Sequence, residues 1–541
     1  MRGKFPMKVA VGATAIALFA AGCQSGSEPE APSDGGTLRV FATEPAGLMT
    51  GANDSPSIQV LRQLYAGLVD FDAKTGAVKN QLAESIESTD NTTWTVKLKK
   101  GYKFDNGEDV TADSFIDAWN WVAYGPNAQP NSYFMSHIIG YADTQSEDPD
   151  GDGPQKAPEP KSKTMSGLKK VDESTFTVTL DRAFVGFPAT VGYAGFYPMA
   201  KACLADTKKC NETPIGNGRY KMDGSWKHNV EVKVVRSDSW KGEKGKVGSI
   251  VYKIYDKNTT GYADYEAGEL DIFDNVPPAK YKDATSLYKD TLFEQASNSF
   301  TYLGFPMYDT RFQNVKLRQA LSLAIDRQQI IDKIFFGRFR AAEGFVSPNF
   351  QGGNRPGNCA NCKYDPTKAK ALLAEAGGWP GGKLVIWANA GAGHEEWTAV
   401  VGDQLKANLG IDYEINATLQ FPQYLQTADD KKFTGLFRLG WNPDYPVLET
   451  YLAPLYGTGG SSNNSSYANK EFDDFVQKGN AAKTIDEAIK FYQQAEDILV
   501  RDLPVLPMWF GKATVLYSKN VKGIPYNTIS GVELQNVELN K

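Results

Sequence analysis

The chain has 541 residues, a net charge of −6, and 41% hydrophobic and 23% charged residues, an ordinary globular balance sized for three or more structural units. An acidic chain with no long basic run is unsuited to nucleic acid, and 51 Gly with 28 Pro are too few for a collagenous or disordered protein. Only His137, His228 and His394 are present, which all but excludes a multi-histidine metal site.

Arg2, Lys4 and Lys8 precede a small, apolar stretch from Val9 to Ala21. A bilayer core needs about 20 such residues, so 1–22 reads as a secretory signal peptide and not as a membrane span. It ends in Ala20-Ala21-Gly22-Cys23, which resembles the bacterial lipobox, where the cysteine is lipidated and becomes the mature N-terminus. Residues 23–35 are then the lipidated Cys23 and a polar, Pro- and Gly-bearing tether. The expected location is extracytoplasmic, tied by lipid to the outer face of the cell membrane.

Strand signals follow at Leu38–Phe41, Trp94–Leu98, Phe176–Leu180, Val230–Val234, Ile250–Tyr255 and Leu384–Trp387. Between Val315 and Phe336 the apolar residues fall at helical spacing, and Gly337 follows as a stop. Asp365-Pro366 predicts a helix start, with Gly377 as its end. Thr484 to Glu487 is a capping box opening a helix that Pro504 stops. Alternating helices and strands with antiparallel hairpins predict α/β lobes.

Four cysteines remain after Cys23, an even count that favours disulfides outside the cytoplasm. They allow three pairings, of which the local ones, Cys203–Cys210 and Cys359–Cys362, are the simplest. Cys359-Ala-Asn-Cys362 also has the spacing of a redox pair or half a zinc site. The loop-like residues before it, and the lack of a second Cys-x-x-Cys, favour a structural staple.

No phosphate-binding Gly-x-x-x-x-Gly-Lys loop, nucleophile elbow or His-Glu-x-x-His occurs. One metal pattern does: Asp148, Asp150 and Asp152, then Gly153 and Glu159, fit the twelve-residue calcium loop. Pro154 and Pro158 stiffen its closing half and no amphipathic helix pair flanks it, so acidic loop composition is the competing reading. Beyond that Ca²⁺, no cofactor is expected.

Several strings resemble the peptide-binding lipoproteins of ABC importers, in their large three-lobed class. They are Leu64-Tyr-Ala-Gly-Leu68, Trp94 to Gly101, Phe104 to Phe115, Pro214 to Tyr220, Val315 to Arg327, Tyr364 to Gly377 and Gly440-Trp-Asn-Pro-Asp-Tyr445. They keep that family's order from about residue 36 to the end. The resemblance implies an α/β, hinge-closing solute-binding fold with an added lobe. Lobe I would be 36–72, 213–298 and 505–541, the inserted lobe II 73–212, and lobe III 299–504. The chain would cross between lobes near Ser299 and Pro504.

The same resemblance assigns the site. Asp444 would grip a peptide's α-ammonium, with Trp441 beside the bound chain. Arg438 and His394 would serve the carboxylate end. Bland alternatives are a turn former at Asp444, an ion-pair partner at Arg438 and an exposed loop histidine at His394. The implied function is non-enzymatic: a monomer that captures extracellular peptides and delivers them to permease subunits. The same scaffold could carry an oligosaccharide, haem or a metal chelate, and an anchored hydrolase is a more distant reading.

Overall fold

The computed structural model describes residues 35–146 and 156–540. Cys23, Asp148, Asp150 and Asp152 lie outside the described residues. Glu159 lies within them, and its carboxylate accepts a hydrogen bond from the Tyr124 phenol at 2.8 Å. Among the described residues no helix is long and apolar enough to cross a membrane, and no group of three or more His, Cys, Asp or Glu is placed to hold a metal ion.

Two sheets organise the molecule. The larger runs, in spatial order, through Tyr413–Asn416, Leu384–Trp387, Leu436–Trp441, Leu292–Gly304, Val505–Tyr517, Ile272–Phe273, Thr37–Ala42, Ser249–Ile254, Glu231–Arg236 and Tyr220–Met222. Thr37–Ala42 pairs in parallel with Ser249–Ile254, and Leu384–Trp387 in parallel with both its neighbours. The smaller sheet is antiparallel, ordered Ala83–Glu87, Thr93–Leu98, Thr175–Thr179, Leu168–Asp172. Thr93–Leu98 buries Trp94, Val96 and Leu98 on one face, as its alternation predicts. The helix Ala112–Ala123 covers that face with Phe115, Ala118, Trp119 and Val122, at helical spacing. Trp119 Nε1–H donates to the Phe196 carbonyl at 2.9 Å, which satisfies its one buried polar atom.

The long strands Leu292–Gly304 and Val505–Tyr517 join the two halves of the large sheet. Leu292 to Ala296 pair with Leu516 to Lys512, beside the strands of the chain's first half. Phe300 to Gly304 pair with Phe510 to Val505 on one side and with Trp441 to Phe437 on the other. The register shifts between Ala296 and Phe300. There Ser297 and Ser299 stand against Gly511, where a Cβ would sit 1.9 Å from Ser299 Oγ and 2.5 Å from Ser297 Oγ. Only glycine fits that crossing.

The helix starts follow their punctuation. Asp365 accepts from the Lys368 amide and opens Pro366–Glu375; Thr484 accepts from the Glu487 amide and opens Ile485–Asp502. The segment 315–336 departs from the single periodic run expected of it. It forms two helices, Val315–Leu323 and Arg327–Ile334. Asp326 caps the second by accepting from the Gln329 amide at 2.9 Å. The buried Arg327 guanidinium donates to the carbonyls of Ser322, Cys362 and Pro507. Those bonds need the chain to turn between the helices, which outweighs the continuous apolar spacing.

Cys203 is bonded to Cys210 and Cys359 to Cys362, with Cα separations of 5.1 and 5.2 Å.

Candidate functional site

The site forms where the strand Leu436–Trp441 ends. Pro443 has no N–H to extend the ladder, so the chain turns out at Asp444 and re-enters as a buried turn at Leu448–Tyr451. The Asp444 N–H points to Thr450 Oγ1 at 3.4 Å, and the Tyr445 phenol donates to Glu449 Oε2 at 2.5 Å. The Tyr451 phenol donates to the Asn298 carbonyl at 2.5 Å, which fastens this segment to the crossing between the sheet halves.

A cavity of about 640 Å³ opens beside this segment. One wall is the 441–480 stretch, with Trp441, Asp444, Tyr445 and Glu449. The other belongs to the region carrying the small sheet, with Tyr133, Phe134, His137, Arg182 and Phe184. Phe184 packs edge-on to Tyr445, their centroids 6.4 Å apart. The volume falls within the 300–1,000 Å³ typical of small-ligand pockets, and the rim is rich in aromatic rings.

The electrostatics are one-sided. The Asp444 carboxylate accepts no hydrogen bond and meets no cation among the described residues. Loss of water, and then the neighbouring charge of Glu449, push its pKa up to about 7. Glu449 is 5% exposed and is also raised, first by burial. Arg182 is turned to Asp181, with Nε and Nη2 each 3.2 Å from its carboxylate oxygens. His137 Nδ1 lies 3.3 Å from the same carboxylate. The cavity thus presents two acids with no direct ion pair among the described residues, Asp444 meeting no cation and Glu449 only the more distant pull of His137 and Arg182. An isolated carboxylate in such a place is costly unless a positive group arrives to meet it.

Of the four ligand residues read from the sequence, the structure brings Asp444 and Trp441 into this cavity and leaves Arg438 and His394 outside its lining. Those two sit near each other. His394 opens the helix His394–Leu409, where the sequence suggested a loop. Its Nδ1 accepts from Trp397 Nε1–H at 3.1 Å, and burial together with Arg438's charge holds its pKa down to about 3. The ring is therefore neutral, with its proton on Nε2. Arg438 is lowered by burial near Tyr302 and Tyr424, and its Nε has no hydrogen-bond partner among the described residues. Trp387 Nε1, Asn389 Oδ1 and Trp441 Nε1 are likewise buried without partners. All four atoms lie on or just beyond the paired strands Leu384–Trp387 and Leu436–Trp441.

Sequence reasoning missed the far wall and Glu449. No local pattern marks Tyr133, His137, Arg182 or Phe184, which reach the site only because the small-sheet region folds back on the 441–480 stretch.

Comparison with known proteins agrees with the architecture. A family model described as bacterial extracellular solute-binding proteins, family 5 Middle, matches residues 77–463. The chain is 26% identical over 508 residues to the oligopeptide-binding protein OppA of Bacillus subtilis, covering 90% of each. It is 27% identical over 558 residues to heme-binding protein A of Haemophilus influenzae, covering 96% of each. It superposes on the structure of the Escherichia coli murein tripeptide binding protein MppA with a TM-score of 0.77, at 24% identity, over 93% of this chain and 98% of that one. The fold is the mixed α/β, lobed fold of solute-binding proteins. With the family model spanning most of its length, the chain belongs to the bacterial extracellular solute-binding proteins of family 5.

Proposed function

We propose that this protein is the capture component of an ABC importer and that its ligand is a peptide held with the α-ammonium on Asp444. The observation that carries the reading is the partnerless Asp444 carboxylate in a cavity walled by aromatic rings. An ammonium that replaces lost water there relieves both the desolvation of Asp444 and its repulsion from Glu449. The relatives named as oligopeptide-binding and murein-tripeptide-binding proteins support the same class. Arg438, whose Nε has no hydrogen-bond partner among the described residues, with the neutral His394 nearby, suits the carboxylate end of a peptide that runs past Trp441.

Closure follows from the same reading. The two halves of the large sheet act as lobes I and III, with the inserted lobe II at 73–212, and the crossings at 296–300 and 510–512 act as the hinge, the second later than the Pro504 expected from the sequence because Val505 to Phe510 still pair with Gly304 to Phe300. Cys23 carries the lipid, and the monomer delivers its ligand to the permease without turnover.

Native mass spectrometry of the purified protein tests the ligand class, followed by thermal shift against tripeptides, haem and cello-oligosaccharides. Co-purified peptide and stabilisation by tripeptides alone support the proposal. Stabilisation by haem or a sugar, with no response to peptides, overturns it.

A further inference from the structure

The charges lining the cavity do not balance. Three carboxylates face it, those of Asp444, Glu449 and Asp473, against the one guanidinium of Arg182 and the imidazole of His137. Arg182 is already matched by Asp181, which lies outside the lining. Asp473 is held by neutral donors, the Thr458 amide at 3.0 Å and the Thr458 hydroxyl at 2.6 Å. The nearest basic residue along its helix, Lys470, is engaged by Asp474 at 2.6 Å. A single α-ammonium on Asp444 would leave Glu449 with no direct cation, only the longer-range pull of His137 and Arg182, which both contact Asp181. Glu449 is more than nine-tenths buried, and while Oε2 takes the Tyr445 phenol, Oε1 accepts no hydrogen bond among the described residues. Around both acids stand the faces and edges of Tyr133, Phe134 and Trp441, surfaces that attract a cation as well as an apolar stem.

We propose that the cavity selects peptides whose first residue is basic, with Asp444 taking the α-ammonium and Glu449 the side-chain cation. The proposal rests on the peptide reading of the site and narrows it. An aliphatic first residue fills the aromatic space but leaves Glu449 buried and unpaired. An acidic one adds a further negative charge beside two that already repel. A lysine or arginine places its stem on the rings and its charge on Glu449, where truncation of either partner is expected to be costly.

The test is calorimetric titration of ligand-free protein with Lys-Ala-Ala, norleucine-Ala-Ala, Glu-Ala-Ala and N-acetyl-Lys-Ala-Ala. Norleucine keeps the length of lysine and removes its charge. Lys-Ala-Ala should bind at least tenfold more tightly than norleucine-Ala-Ala and at least a hundredfold more tightly than Glu-Ala-Ala. In Glu449→Gln, whose amide oxygen still accepts from Tyr445, the lysine peptide's advantage over the norleucine peptide should vanish. Equal affinity for the lysine and norleucine peptides, with the acetylated peptide still rejected, overturns this inference and leaves the ammonium reading intact. A lysine advantage that survives Glu449→Gln overturns the role given to Glu449. Failure of every peptide to bind overturns both. Should Glu449→Gln not fold, the lysine–norleucine comparison on the wild type decides alone.

Discussion

The Val185 N–H donates to the Asn480 carbonyl across 2.8 Å. Asn480 lines the cavity, and Val185 follows the lining residue Phe184. Nearby, Asn91 Nδ2 donates to the Ala482 carbonyl at 2.7 Å. These bonds close the inserted region onto the wall that carries Asp444. If ligand binding tightens that closure, amide exchange at Val185 should slow by tenfold or more when a tripeptide is added, while amides in the helix around the buried Trp119 stay unchanged. An exchange rate at Val185 indifferent to ligand would show that these walls do not move together.

Gly511 sets the geometry of the crossing between the sheet halves. A methyl group there would strike both Ser297 and Ser299. Gly511→Ala should cost about 1–3 kcal/mol through overpacking, read as a lowered melting temperature. Adding Ser297→Ala and Ser299→Ala should recover part of it. A Gly511→Ala protein as stable as wild type would mean the crossing is looser than its register shift implies.

The pH dependence has a definite sign. Asp444, raised to about 7, holds its proton in the folded, ligand-free protein at pH values where the unfolded chain has lost it. Its contribution to stability is therefore full below about pH 4 and is lost as pH rises towards 7. A bound ammonium favours the ionised carboxylate and reverses that loss. The peptide-induced rise in melting temperature should accordingly grow from pH 5 to pH 7, above which the peptide's own α-ammonium, with a pKa of about 8, begins to lose its proton. Binding near pH 7 should also release protons, seen as a calorimetric enthalpy that depends on the buffer's ionisation heat. A thermal shift that shrinks as pH rises over that range would contradict the assignment.

Legibility in the sequence followed the range of the interactions. Asp365 and Thr484 announce their helices because a cap acts within three residues of its own position. The alternation of Thr93–Leu98 reads directly as a half-buried strand. The break at Asp326 was hidden, since the partners that hold Arg327, the carbonyls of Cys362 and Pro507, are far along the chain. The site divided in the same way. Asp444 and Trp441 sit together in one short string that a family resemblance can mark. Arg438 lies two residues before that string, but strand pairing and burial near Tyr302 and Tyr424 keep it out of the cavity lining. Glu449 is five residues past Asp444 and no pattern marks it, because its burial comes from packing under Tyr445. His137 and Arg182 come from a region distant along the chain that packs against the 441–480 wall.

The most direct measurement is the coupling between Asp444 and the peptide's amino end. Free and N-acetylated forms of one tripeptide are titrated into the wild type and into Asp444→Asn, with circular dichroism to confirm that the variant is folded. A buried charge deprived of its partner costs about 2–5 kcal/mol, so the free peptide should bind the variant tens- to thousands-fold more weakly than the wild type. Acetylation should cost the wild type a similar factor and the variant almost nothing. Equal binding of free and acetylated peptide by the wild type would contradict the account, because the ammonium would then go unread and Asp444 would not be what holds the ligand.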